Sequence, residues 1–375
     1  LTALPIGIMI AIQIGSGGLM RTFEVGIYGA TGHTGQMVAR ELERRGIRVR
    51  RIGRKTPDAL DLREGEAATW RQASCDEPDA LDIALAGVDA VINCAGPFLD
   101  TAPALIEAAL RARVHYLDIT AEQRSVRQSL ATYDTEARML GVVVVPAMAF
   151  YGGLADLLAA DLARRFATVD EVLIAIALDS WRPTAGTRHT GERNTARRVI
   201  VTNGQLSPLP TVSDRKHWMF PEPFNRQEVT AVPLSKIITI SRHIVAKRIE
   251  SFMNVAPLVE LSNASTPPPV LDETGCSNQK FVMQVQIAGD GSTASVSAAG
   301  RDIYASSAPM VAEACLRVLL KQPARGGAFA PAELFEPGDF LRALAPWMTF
   351  QGLSDQATGL PRVSQQQPAE QGIRL

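Results

Sequence analysis

The sequence predicts a two-part α/β protein: a doubly wound parallel sheet over residues 20–150, then an α+β domain over residues 151–347 that contains a mixed sheet. Three observations carry that expectation. From residue 23 to residue 150, short apolar runs alternate with amphipathic helical stretches at the spacing of a parallel sheet covered on both faces. Beyond residue 151 this alternation stops, and longer strand-like runs replace it. Between the first apolar run and the first helical one lies "IYGATGHTGQM", residues 27–37, whose three glycines mark a tight strand-to-helix turn.

The elements follow in order. After the glycine turn a helix is expected over residues 33–45, then a second strand in "IRVRRIGR". "DAVINCAG" is a later strand, "APALIEAALRAR" a helix, "VHYLDIT" a strand, "EQRSVRQSLATYDTEARML" one helix, and "GVVVVPAMAF" a strongly apolar strand. In the second half, "LADLLAADLARRF" reads as a helix and "EVLIAIAL" as a strand. "KFVMQVQIAG" and "STASVSAAG" form a hairpin around Asp290 and Gly291. "SSAPMVAEACLRVLLK" is an amphipathic helix expected to pack back on the first domain. Residues 262–278, rich in proline and turn formers, are expected to be a mobile loop, and residues 348–375 a disordered tail.

Composition narrows the classes. With 375 residues, 46% hydrophobic and 21% charged, the chain can build two cores, and a net charge of -1 gives no reason to expect a nucleic-acid partner or an anionic membrane. Cys75, Cys94, Cys276 and Cys315 lack ligand spacing, so neither a metal site nor a disulfide framework is expected, which fits a reducing cytoplasm. The apolar run "LPIGIMIAIQIG" is shorter than the roughly 20 residues a membrane span needs. Residues 1–19, which precede Met20, are read as a non-native or disordered extension excluded from the fold, and no stable membrane insertion is expected.

The glycines supply the first chemistry. In a strand–turn–helix context, Gly29 permits the tight turn, Gly32 lets backbone approach a pyrophosphate, and Gly35 lets helix pack on strand, as in Rossmann dinucleotide sites. Backbone N–H groups at the start of the helix, with Thr31, His33 and Thr34 around them, would receive the phosphate charge. At the end of the second strand an acidic residue would select NAD. This sequence has Arg51, Arg54 and Lys55 there, which favour the 2′-phosphate of NADP, although a solvated basic edge is the plainer alternative.

Together, "YGATGHTGQMVARELERRG", "VINCAGPFLDTAPALIEAALRARVHYLDITAEQ" and "GRDIYASSAPMVAEACLRVLL" resemble the saccharopine dehydrogenase-like oxidoreductases, a group that includes saccharopine reductases and trans-acting enoyl reductases. The resemblance spans about residues 20–347 and is more specific in the first half. It implies that Cys94, Ala95, Gly96, Pro97 and Phe98 lie against the nicotinamide half of the cofactor, and that Asp118, Thr120 and Glu122 surround the crevice. Asp118 is then a ligand or acid–base group; equally, Asp118 or Thr120 caps the next helix. Asp156 matches a family aspartate after the sixth strand, but Tyr151 and two glycines stand where relatives often carry proline.

Substrate contacts are sought in residues 181–198, which combine Arg188, His189, Arg193, Arg197 and Arg198 with glycines and threonines; solvated loop charge is the bland alternative. Tyr151, Arg188 and His189 are the candidate substrate residues, and His115, His217 and His243 are read as structural. The leading function is an NADP-dependent oxidoreductase acting on a small or carrier-linked imine or enoyl acceptor, with a homodimer as a candidate assembly. The second is a non-catalytic NADP redox sensor, which would bind NADPH without consuming it. Short-chain reductase chemistry is disfavoured, since no tyrosine here is followed four residues later by lysine.

Overall fold

The computed structural model describes residues 22–56, 69–211, 215–321 and 325–354, so the extension at residues 1–19 lies outside the described residues. The first six strands are β1 (Glu24–Tyr28), β2 (Arg48–Gly53), β3 (Trp70–Gln72), β4 (Ala90–Asn93), β5 (His115–Asp118) and β6 (Val143–Val145). They are followed by β7 (Val169–Leu178), β8 (Val199–Thr202), β9 (Gln205–Pro208), β10 (Lys216–Met219), β11 (Arg226–Ala231) and β12 (Ala246–Asn254). The long strands β13 (Lys280–Gly289) and β14 (Ser292–Arg301) precede the short β15 (Gly327–Ala328) and β16 (Met348–Gln351).

The first sheet runs β15-β6-β5-β4-β1-β2-β3, and all its pairs are parallel. Parallel strands need crossovers, which the helices His33–Arg44, Pro78–Leu85 and Phe98–Ala112 supply. Strand order reverses between β1 and β4, and a crevice at the carboxyl ends of those strands is where such sheets bind ligands. The doubly wound prediction is met. The edge strand β15, however, comes from far along the chain.

The second sheet runs β10-β11-β12-β7-β13-β14-β16, with β8 paired to both β12 and β9. It is mixed: β7 is parallel to β12 and antiparallel to β13. The predicted hairpin forms in full register, from Lys280 opposite Arg301 to Gly289 opposite Ser292. Asp290 and Gly291 both take positive φ, as a two-residue hairpin turn requires.

Several boundaries differ from expectation, among them the strand predicted over residues 141–150, which is confined to Val143–Val145 and is followed by a π-helical turn from Phe150. The helix predicted over residues 122–140 breaks at Tyr133 into Gln123–Thr132 and Asp134–Leu140; the Asp134 carboxylate holds Arg138 and the backbone N–H of Ala328, which redirects the chain. Met348–Gln351 is not tail but a strand paired with Ser297–Gly300, because Met348 is buried and the edge of β14 needs a partner. The remainder of the predicted tail, residues 355–375, lies outside the described residues. Within residues 181–198, read as polar chain, Thr184 caps a helix over Ala185–Arg193 by accepting from the Thr187 N–H.

The two sheets share a core. One apolar cluster runs from Val38 and Leu42 through Val311 and Cys315 to Ile176 and Met283. The helix Ser307–Lys321 packs on His33–Arg44, as predicted, and Arg45 bridges Glu41 and Glu313 at 2.7 and 2.6 Å.

Candidate active site

The glycine turn brings strand, helix and the β4 loop into close backbone contact. Gly29 sits at φ +81°, where a Cβ would also lie 2.8 Å from the Ala95 Cβ on the neighbouring β4 loop. A Cβ on Gly35 would lie 2.2 Å from the Gly29 carbonyl oxygen, so only glycine lets the helix seat this closely. Gly32 differs: its Cβ would meet only that same oxygen, at 3.1 Å, and the residue is exposed. The helix His33–Arg44 starts at Gly32 with no side-chain cap and no acidic residue in its first turn. Its first N–H groups therefore offer an anion the positive end of the helix. These features fit a dinucleotide pyrophosphate. Thr31 is exposed beside the turn, and His33 and Thr34 are half-buried.

At the adenosine end the basic residues separate. Arg51 is buried and donates to Glu43 at 2.7 Å and to Thr69 at 3.3 Å, so it is committed to the fold rather than to a ligand, which corrects its predicted role. Arg54 and Lys55 are exposed at the end of β2 and fit a 2′-phosphate.

The loop after β4 is fixed from beneath. Buried Asn93 accepts from the Ala95 N–H at 3.0 Å and donates to Thr101 and Tyr116. Glu122 accepts from the N–H groups of Phe98 and Leu99 at 2.8 and 3.3 Å, capping the helix Phe98–Ala112. Pro97 and Phe98 are buried, whereas Cys94, Ala95 and Gly96 are half-buried. Burial, with Asp118 as a smaller contributor, pushes the Cys94 thiol well above its ordinary range, so it is not a ready nucleophile. Above the loop lies the second domain: a Cβ on Gly96 would fall 2.2 Å from Thr190 Oγ1.

Asp118 is not placed to touch substrate. It is fully buried, and its oxygens accept from the N–H groups of Thr120 and Ala147 at 2.9 and 2.8 Å and from the Tyr116 hydroxyl at 2.9 Å. Burial pushes its carboxyl up to about 6 while these donors pull it back. Asp118 ties the ends of β5 and β6 together; the catalytic expectation is corrected to a bracing one, because every oxygen is engaged and water is excluded. Asp156 is a similar pin. It meets His243 Nε2 at 2.8 Å and accepts from the Ala332 N–H at 2.8 Å, so His243 is structural as read.

The candidate substrate residues divide. Arg188 donates to the carbonyls of Asn263 and Thr266, at 3.3 and 2.7 Å, and His189 is exposed 3.9 Å from Glu192. Tyr151 does reach a common site. It rides on a π-helical turn over Phe150–Leu154, packs 5.6 Å from Trp181, and its buried hydroxyl has no hydrogen-bond partner. Trp181 Nε1 donates to the Tyr304 hydroxyl at 3.1 Å, Thr187 Oγ1 lies 2.9 Å from the same hydroxyl, and the Tyr304 ring meets His33 edge-on at 5.5 Å. This chain of rings links the start of the cofactor helix to the interior of the second domain.

At its inner end lies Lys236, which sequence reasoning missed. It is fully buried, its Nζ has no hydrogen-bond partner, and it stands 5.4 Å from the centre of the Tyr151 ring. Burial first, and Arg198 second, pull its ammonium down to about 7. The signal was a single lysine opening the apolar run "KIITI". Among the described residues no group of His, Cys, Asp and Glu could hold a metal ion, and no helix is long and apolar enough to cross a membrane.

Known proteins share the fold of this chain. Residues 25–145 match the family model described as the saccharopine dehydrogenase NADP binding domain. The chain is 33% identical over 144 residues to a Mycobacterium tuberculosis protein provisionally named a trans-acting enoyl reductase, covering 36% of this chain and 34% of the relative. It is 29% identical over 152 residues to a trans-acting enoyl reductase of Mycobacterium bovis, covering 39% and 36%. The chain thus matches about a third of the length of these relatives. Apo saccharopine dehydrogenase (L-Glu forming) from Saccharomyces cerevisiae superposes with a TM-score of 0.62, covering 88% of this chain and 99% of that one at 14% identity. Fold and match define a Rossmann-type α/β protein. Its first domain is of the saccharopine dehydrogenase NADP-binding type, as the sequence resemblance implied.

Proposed function

We propose that the protein is an NADPH-dependent reductase acting on a carrier-linked enoyl acceptor in the crevice between its two sheets. The observation that carries this reading is the uncapped glycine turn at the strand-order reversal, roofed by the second domain where Thr190 meets Gly96. Gly29, Gly32, Gly35 and the first helical N–H groups would hold the pyrophosphate, Arg54 and Lys55 the 2′-phosphate, and the loop from Cys94 to Phe98 would flank the nicotinamide. When bound, the cofactor supplies hydride.

The chain's own task is to orient the acceptor, exclude water and deliver a proton. Trp181, Tyr151 and Tyr304 form an aromatic wall suited to a flat conjugated group. Lys236, balanced between charged and neutral near pH 7, and the unpartnered Tyr151 hydroxyl are the proton sources beside it. The enoyl choice over an imine rests on the names of the relatives. NADPH consumption should be followed with enoyl thioesters, imines and oxo acids in turn. Turnover of the enoyl thioester is expected; tight NADPH binding without consumption by any acceptor would overturn the reductase reading in favour of a redox sensor.

A further inference from the structure

A second cleft, of about 440 Å³, opens beside the crevice between the helix Gln123–Thr132 and the chain around β8. Arg124 and Arg127 enter it from the helix, three residues apart and so on one face, and Arg197 and Arg198 face it from the chain entering β8. No carboxylate lines it. Elsewhere the arginines of this fold are commonly neutralised, Arg193 by Asp100, Arg45 by Glu313 and Arg317 by Asp339. None of the four cleft arginines has a carboxylate within 4.0 Å among the described residues.

The cleft is also rigidly made. Gln123, nearly fully buried, donates to the carbonyls of Val199 and Leu234 and accepts from the Val199 N–H at 2.8 Å, so one side chain locks three walls together. Arg198 also acts electrostatically on the buried, unpartnered Lys236. Four guanidinium groups lining one cleft repel one another unless an anion joins them, and guanidinium forks match phosphate oxygens.

We propose that this cleft binds a phosphate group carried by the substrate. It is not the place for the cofactor's own 2′-phosphate: Arg54 and Lys55 follow β2, whereas the helix bearing Arg124 follows β5, three strands across the sheet and so roughly 14 Å away. The proposal rests on the reductase reading only in taking the phosphate's bearer as substrate.

The test uses the full chain saturated with NADPH and measures binding of phosphopantetheine, pantetheine and inorganic phosphate by calorimetry. Phosphopantetheine should bind at least about 10-fold more tightly than pantetheine, and Arg124→Gln with Arg127→Gln should bring that ratio near one while NADPH affinity stays unchanged. Arg197→Gln serves as a second variant if the double one misfolds. Inorganic phosphate binding as tightly as phosphopantetheine would overturn the substrate assignment and leave the cleft a site for free phosphate. Equal affinity for phosphopantetheine and pantetheine, unmoved by the variants, with no binding of inorganic phosphate, would overturn the proposal. Failure of NADPH itself to bind would instead overturn the cofactor reading, so the two failures are distinct.

Discussion

The glycine turn at residues 29–35 and the arginine-bearing segment at residues 181–198 are both conspicuous in sequence, yet only the first takes the local geometry that its spacing implies. Each glycine acts through its own backbone and the few atoms around it, so the turn follows from local spacing. An arginine reaches several ångströms, and whatever it meets decides its role. Arg188 meets two carbonyls, Arg193 meets Asp100, and Arg197 and Arg198 meet an empty-sided cleft. Backbone motifs are thus readable in place, whereas long charged side chains become readable only once their neighbours are known.

The comparison is most severely tested at Gly32. Gly32→Val should lower NADPH affinity by about 100-fold or more with the circular dichroism spectrum unchanged, because the side chain would fill the cradle and not the core. Undiminished affinity would reduce the turn to a plain sheet connection. Lys236→Met comes next, since its effect is set entirely by surroundings. The folded ammonium titrates near 7 and the unfolded one near 10.5, so the native state resists protonation and stability rises with pH between those values. The variant should be more stable than the parent by an amount on the order of several kcal/mol below pH 7, with the gain shrinking towards pH 10.5, and should lose turnover. Urea melts across that pH range check it; a gain independent of pH would show that Nζ is solvated.

Arg54→Ala and Arg51→Ala sharpen the contrast within one motif. The first should weaken NADPH but not NADH by about 1.5–3 kcal/mol. The second, losing the Glu43 pair, should cost about 1 kcal/mol of stability and leave the NADPH preference alone. Cofactor titrations paired with thermal melts separate them, and a reversed pattern would return Arg51 to the binding site. The smallest effect is expected from Arg188→Ala: stability within about 0.5–1 kcal/mol and an unaltered Michaelis constant, because its guanidinium holds a loop. A raised Michaelis constant would restore it as a substrate anchor.

The first sheet was largely legible because its strands are buried on both faces and its helices carry clear apolar stripes. In the second half, β7, β13 and β14 were equally legible. Strands β9 and β10 were not: at Gln205–Pro208 and Lys216–Met219 they are short and mostly exposed, so no apolar alternation marks them. Lys236 escaped for the opposite reason, since an apolar run hides a lysine whose burial depends on packing from Tyr151 and Arg198, far away in sequence. Asp118 was located correctly at a strand end, but whether its oxygens faced solvent or neighbouring N–H groups depended on Ala147, just beyond β6.

The strand β15 carries a consequence for how this chain is made. It pairs with β6 at the border of the first sheet, although the whole of β7 to β14 intervenes in sequence. As the chain leaves the ribosome amino end first, β6 must wait with an unpaired edge until residue 327 has emerged. The dinucleotide domain therefore cannot finish folding as an independent unit ahead of the rest. A truncation after residue 150 would leave that edge permanently bare, a template for sticking to its own kind.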